Sequence, residues 1–200
     1  SHYLTGLFLR QLSNSIIVAL GTVGLTLSVS TLSAYALARL KFRGRRLMLR
    51  SALFTYIIPY SFLAIPFFKI MVRYGLVNSY QALIIAMATF TSPYCIWVLY
   101  GYFKGIPIEI EEAALVDGAS RIRVFVGIIL PISGPVLAAL ATYAFIFAWN
   151  ELLYVLVLTG SAEMFTIPLG LMWFLISDTI PWGLLMAESI IYAIPPIIFY

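Results

Sequence analysis

From Gln11 to Ala38 the chain carries no charged residue, and this constrains its fold more than any other feature. A helix needs about 20 mostly apolar residues to cross the hydrocarbon core of a membrane. Similar stretches follow at Ser51–Phe68, Tyr74–Phe103, Val124–Asn150 and Thr179–Tyr200, the last interrupted only by Glu188. They are too long and continuous for the strands of a membrane barrel, which alternate apolar and polar residues. The reading is an all-α, polytopic membrane protein. Its five spans are expected near Ser13–Ala38, Ser51–Ile70, Tyr80–Phe103, Arg123–Leu153 and Pro181–Tyr200, within a single transmembrane domain over residues 1–200. The stretch Thr159–Thr179 is apolar but broken by Gly160, Ser161, Glu163, Pro168, Gly170 and Asp178. It reads as an external loop, about 159–180, holding a partly buried or re-entrant helix.

Composition narrows the function. The chain is 62% hydrophobic and 10% charged, against about 25% charged in a soluble domain. A soluble enzyme, a disordered segment and a nucleic-acid module are excluded together, despite a pI near 9.2. Cys95 is the one cysteine and His2 the one histidine. An internal disulfide or a Cys/His metal site has nothing to be built from, so no metal and no cofactor are expected in this chain.

Basic residues set the orientation, because cytoplasmic loops carry an excess of Lys and Arg. Arg39, Lys41, Arg43, Arg45, Arg46 and Arg50 follow the first span, and Lys104, Arg121 and Arg123 follow the third. Only Arg10, Lys69 and Arg73 fall on the other side. The first side is expected to be cytoplasmic, with the amino terminus outside, in a cell (inner or plasma) membrane.

The segment Ile106–Pro135 is the one long stretch in which acidic residues, small residues and helix punctuation coincide. Pro107 suits a helix start, and Glu109, Glu111 and Glu112 cluster where the helix dipole favours negative charge. Gly118 suits the end of that helix or a sharp turn. The expectation is a short cytoplasmic helix, Glu109–Gly118, lying on the membrane surface within a segment of about 105–123. Ala113, Ala114 and Ala119 leave room for another protein's backbone, and Glu112 and Asp117 suit basic residues on that partner.

These residues carry a resemblance. Glu112-Ala113-Ala114, Asp117-Gly118-Ala119, Leu130-Pro131 and Pro135 together resemble the EAA loop of the permeases of binding-protein-dependent ABC importers. Ser33–Arg39 followed by Phe42-Arg43-Gly44 looks like the first cytoplasmic junction of the maltose-type sugar permeases. Phe147-Ala148-Trp149-Asn150-Glu151-Leu152 is similar to their Trp-Asn motif, and Thr166–Leu171 to the loop beyond. The resemblance implies a MetI-like, type I importer permease fold. It further implies a sister permease, two cytoplasmic ATPase subunits that bind ATP and Mg and receive the EAA helix, and an external solute-binding protein that delivers a sugar or oligosaccharide. On that reading Glu112, Ala113, Ala114, Asp117, Gly118 and Ala119 couple to the ATPases, and the chain is a transport subunit and not an enzyme. The chain carries no G-x-x-x-x-G-K-[ST] pattern, so ATP hydrolysis falls to a partner. The resemblance also suggests a helix missing before Ser1 and a chain truncated at both ends.

Other residues have plainer readings beside the functional ones. Pro131 and Pro135 are expected to kink or hinge the fourth span. Tyr143, Phe147 and Asn150 recur at helical spacing, and such an aromatic-plus-amide face suits a sugar, although aromatic stripes more often only pack. With Glu151 and Glu188 they form the candidate substrate path. Glu188 is an ionisable group inside a span, a functional-site hypothesis by default. The basic loop Arg39–Arg50 reads as a topology determinant and lipid contact. Glycerol phosphate or another polar solute is the rival cargo. An intramembrane enzyme would need a base that the spans lack, and a secondary transporter would leave the EAA cassette unexplained.

Overall fold

The computed structural model describes residues 2–176 and 182–199, and these are helical, with no strand among them. The first helix, α1 (His2–Arg39), contains the span expected from the first charge-free run. Next come α2 (Arg45–Phe54), a 3-10 turn at Thr55–Ile57, another at Tyr60–Leu63, and α3 (Ala64–Arg73). This corrects the second expected span, Ser51–Ile70, which is not one helix. Pro59 breaks it, standing in extended backbone at φ −56° and ψ 125°. Its ring removes a helix donor and biases the preceding residue away from the helical region. The third span is α4 (Tyr80–Gly105), continuous through Pro93.

After α4 lie α5 (Ile108–Val116), α6 (Arg121–Val124), a π-helical turn at Phe125–Ile129, and α7 (Leu130–Ile132). The chain then turns at Ser133 into α8 (Gly134–Trp149). The fourth expected span, Arg123–Leu153, is therefore a broken one, its two halves meeting at 76°. Pro131 and Pro135 stand in the first turns on either side of that corner. Ser133 holds it: its N–H donates to Ile129 O at 3.0 Å and its Oγ to the same carbonyl at 2.7 Å. Tyr102 Oη covers Ile132 O at 3.0 Å. The neighbouring helix thus satisfies a carbonyl that the interrupted ladder leaves open.

The stretch expected to be external folds as α9 (Leu153–Leu158), a 3-10 turn at Ala162–Met164, and α10 (Ile167–Leu175), followed by α11 (Trp182–Phe199). The loop's expected end at Asp178 and Thr179 and the expected last-span limits at Pro181 and Tyr200 lie outside the described residues. By length and composition, α1 from Gly6 and α4 each suffice to cross a membrane, the bent pair makes a third if its two halves count as one span, and Trp182–Ile198 is a shorter apolar helix.

Packing gathers the chain into two compact units. The first comprises Ser1–Leu25, Ile58–Phe90 and Thr142–Tyr200. Its core is built on Leu83, Met87, Phe145, Trp149, Tyr154, Leu158, Ile167 and Leu169. Here α10 docks on the start of α1. Asn14 Nδ2 donates to Glu163 O at 2.8 Å and Phe165 O at 2.9 Å, Asn14 Oδ1 accepts from Tyr80 Oη at 2.6 Å, and Ser15 Oγ accepts the Ile167 N–H at 2.9 Å. Gly170 lets the buried side chain of Gln11 lie against its backbone, where a Cβ would collide with the amide. The second unit comprises Thr26–Ile57 and Thr91–Ala141. Within it α1 and α4 meet along a buried hydroxyl seam, with Thr26 Oγ1 and Thr91 Oγ1 2.7 Å apart and Ser30 Oγ donating to Ser92 O at 3.3 Å. Such interhelical bonds join membrane helices where the hydrophobic effect gives no drive.

Candidate functional site

Helix α5 begins after Pro107, whose extended backbone (φ −55°, ψ 131°) makes it the residue before the first turn. Glu109 and Glu111 occupy that turn, where the exposed N–H groups favour carboxylates. At the other end Asp117 caps the helix and Gly118 turns the chain at φ +86°, a conformation costing roughly 1–2 kcal/mol for a residue with a Cβ. The Gly118 N–H donates to Leu115 O at 3.1 Å and the Ala119 N–H to Ala114 O at 3.0 Å. These bonds satisfy carbonyls that the helix end would leave orphaned. Ser120 then opens α6, its Oγ accepting the Arg123 N–H at 3.3 Å. The result is a helix–corner–helix over 108–124, in place of the expected Glu109–Gly118 helix but overlapping it.

The two faces of α5 differ completely. Glu111 is buried at 6% exposure. Arg39 pairs with its Oε1 through Nε, Tyr35 Oη donates to its Oε2 at 3.0 Å, and Arg39 Nη2 donates to Ile106 O at 2.9 Å. Tyr35 is itself held between the rings of Phe103, at 6.1 Å, and Phe125, at 4.7 Å. A buried carboxylate is tolerable only when paired and hydrogen-bonded, and this clamp supplies both. It ties α5 to the last turn of α1. Round the rest of the helix and its corner Glu112, Ala113, Asp117 and Gly118 are exposed, while Ala119 and Ala114, three residues on from Glu111 and on its side, are half-buried. Val116, 88% exposed, and Ile108, 48% exposed, place apolar surface beside them. The six residues expected to couple thus stand together, and the chain leaves much of their surface open.

Sequence reasoning missed the clamp. It counted Glu111 among the acids at the helix start and Arg39 among the topology-setting basics, and nothing local links residues so far apart in the chain. The signal available was the burial expected of a helix that must rest one side on the protein.

The candidate substrate path falls in the first unit and divides. Tyr143 and Phe147 keep company, ring centroids 6.5 Å apart. Phe147 meets Tyr60 at 6.3 Å, and Tyr60 stacks on Tyr154 at 6.1 Å. Tyr60 and Tyr154 were not anticipated. Asn150 turns instead to α11: its Oδ1 accepts from Tyr192 Oη at 2.6 Å, and its Nδ2 donates to Ile146 O at 2.8 Å. Glu151 is buried, and its Oε1 accepts the Tyr154 N–H at 3.0 Å, holding the start of α9. Glu188 is buried at 3% exposure, with Oε2 lacking a hydrogen-bond partner among the described residues. Trp149 turns to α11 as well. It is buried, stacks on Tyr192 at 5.7 Å and donates Nε1–H to Tyr192 O at 3.2 Å.

Residues 11–200 match the family described as binding-protein-dependent transport system inner membrane component. The chain is 40% identical to the trehalose/maltose transport system permease protein MalG of Thermococcus litoralis, over 96% of this chain and 69% of that protein. It is 37% identical to the trehalose transport system permease protein SugB of Mycobacterium tuberculosis, over 96% of this chain and 71% of the other. Among solved structures it resembles a chain of a bacterial ABC transporter involved in the import of the acidic polysaccharide alginate. The TM-score is 0.76 at 26% identity, covering 96% of this chain and 70% of that one.

Proposed function

The chain belongs to the family of binding-protein-dependent transport system inner membrane components and is a membrane-embedded transport subunit with the ABC importer permease fold, and from that premise we propose that it imports a sugar or oligosaccharide. Its relatives named for trehalose, maltose, arabinooligosaccharides and diacetylchitobiose support that cargo.

In this reading α5 is the coupling element and lies on the cytoplasmic side. The observation that carries it is the division of labour on α5: Glu111 is spent inward, while Glu112, Ala113, Asp117 and Gly118 are exposed and the small Ala114 and Ala119 are left half-open beside them. A face of this kind admits a partner's backbone and offers carboxylates to its basic residues. The partner is an ATPase subunit, one of two, which binds ATP and Mg. Its closure on ATP pushes α5, and the clamp passes the push to α1. The corner between Pro131 and Pro135 is where the broken span yields. A sister permease and an external solute-binding protein complete the assembly. Tyr143, Phe147 and Asn150, with Glu188, line the solute's route, and Glu151 supports it by holding α9.

The test is calorimetric titration of a sugar panel into the solute-binding protein that works with this permease, followed by uptake into vesicles carrying the assembled importer. Tight sugar binding and ATP-dependent uptake of the same sugar are expected. Binding of another solute class with no response to sugars would overturn the carbohydrate assignment.

A further inference from the structure

The turn after α1 is left unused by the coupling reading. The first acidic residue in the chain is Glu109, so Lys41, Arg43, Arg45, Arg46 and Arg50 have no acid near them in sequence. The ion pairs among the described residues are Arg10–Glu163 and Arg39–Glu111, and neither uses any of these five. Arg45 donates to Leu40 O at 3.3 Å, while Lys41, Arg43, Arg46 and Arg50 are exposed. A turn at Gly44 brings Lys41 through Leu47 around an open cavity of about 480 Å³.

The same segment exposes apolar side chains. Phe42 is 42% exposed, Leu47 71%, Met48 56% and Phe54 63%. On α2, Arg46, Arg50 and Phe54 follow one another at four-residue spacing and Leu47 lies three before Arg50, so cations and apolar side chains share one side of the helix. Cations around an open cavity, interleaved with exposed apolar side chains, suit a membrane surface. There the cations meet anionic headgroups and the apolar side chains enter the acyl boundary. Continuity favours this occupant over a soluble one, because the turn is where the membrane-length helix α1 ends, at Arg39.

We propose that Lys41–Leu47 together with α2 forms a binding site for an anionic phospholipid headgroup. The phosphodiester sits among Lys41, Arg43 and Arg46, and Leu47 and Phe54 rest on the acyl chains. The assignment does not depend on the transport reading.

The test uses the chain in phosphatidylcholine nanodiscs doped with spin-labelled phosphatidylglycerol, or with phosphatidylcholine carrying the same label. Selective immobilisation of the phosphatidylglycerol label is expected. Each of K41Q, R43Q and R46Q should weaken it by roughly fivefold, the R43K/R46K double variant should retain it, and salt should reduce it. Four results would overturn the proposal. They are equal immobilisation of both labels, wild-type retention in all three single variants, displacement by inorganic phosphate at matched concentration (a free-anion site), or displacement on adding the ATPase subunits (a protein-docking surface).

Discussion

Helices α5 and α10 are each nine residues long, and each docks on α1, yet they are held by opposite means. The first rests on one charged clamp, Arg39 with Glu111, and leaves much of its surface exposed. The second is held by neutral hydrogen bonds, its Ile167 N–H donating to Ser15 and Asn14 donating to the carbonyls of Glu163 and Phe165 just before it, and its own Ile167, Leu169 and Gly170 are buried. A point attachment fixes a helix while leaving its other side for a partner. A distributed attachment makes the helix part of the wall. On the proposed coupling reading the contrast separates a part that transmits from a part that encloses, and mutation can test it.

The largest effect is expected at the clamp. Arg39→Ala leaves Glu111 as a buried, unpaired carboxylate, which costs about 3–5 kcal/mol. Thermal unfolding in detergent should register it, and limited proteolysis should find α5 loosened while α10 stays protected. Simultaneous loss of protection at both helices would dissolve the distinction between them. Next, Gly170→Leu drives a side chain into Gln11 and should cost about 1–3 kcal/mol by overpacking. Cleavage in the segment 159–176 should report the damage, and protection of α5 should stay unchanged. Smallest is Arg10→Ala. The Arg10–Glu163 pair spans 3.2 Å, but its side chains are 55% and 67% exposed. Such a pair is worth less than about 1 kcal/mol, so the melting temperature should hardly move. A loss matching that of Gly170→Leu would mean that charge also matters in holding the segment 159–176.

These comparisons show where the sequence was readable. Gly118 announced its corner because its left-handed turn has a residue-level signature. The uninterrupted runs announced α1 and α4, and the broken run Thr159–Thr179 announced a helix within it, α10. Pro59, Pro131 and Pro135 were visible as punctuation, but a proline's effect depends on whether neighbours cover the freed carbonyls. The outcome is a break at Pro59 and a turn of 76° at Ser133. The pairings between distant residues were not readable. Asn150 with Tyr192, Thr26 with Thr91, and Arg39 with Glu111 each join elements whose contact only the packed fold decides. Glu111 and Glu112 make the point most sharply. They are adjacent and chemically identical, and a rotation of about 100° per helical residue sends one into the clamp and the other into the open.

That rotation also supplies the most direct test of coupling through the outer face of α5. Glu112→Lys changes an exposed side chain, so insertion and melting temperature should stay at wild-type values, within about 0.5 kcal/mol. In vesicles carrying the assembled importer, ATP-driven uptake should fall to less than about a tenth of wild type, the order expected for losing a charged partner contact. ATPase subunits should co-purify poorly or hydrolyse ATP without uptake. Wild-type uptake from a fully inserted Glu112→Lys protein would contradict the account.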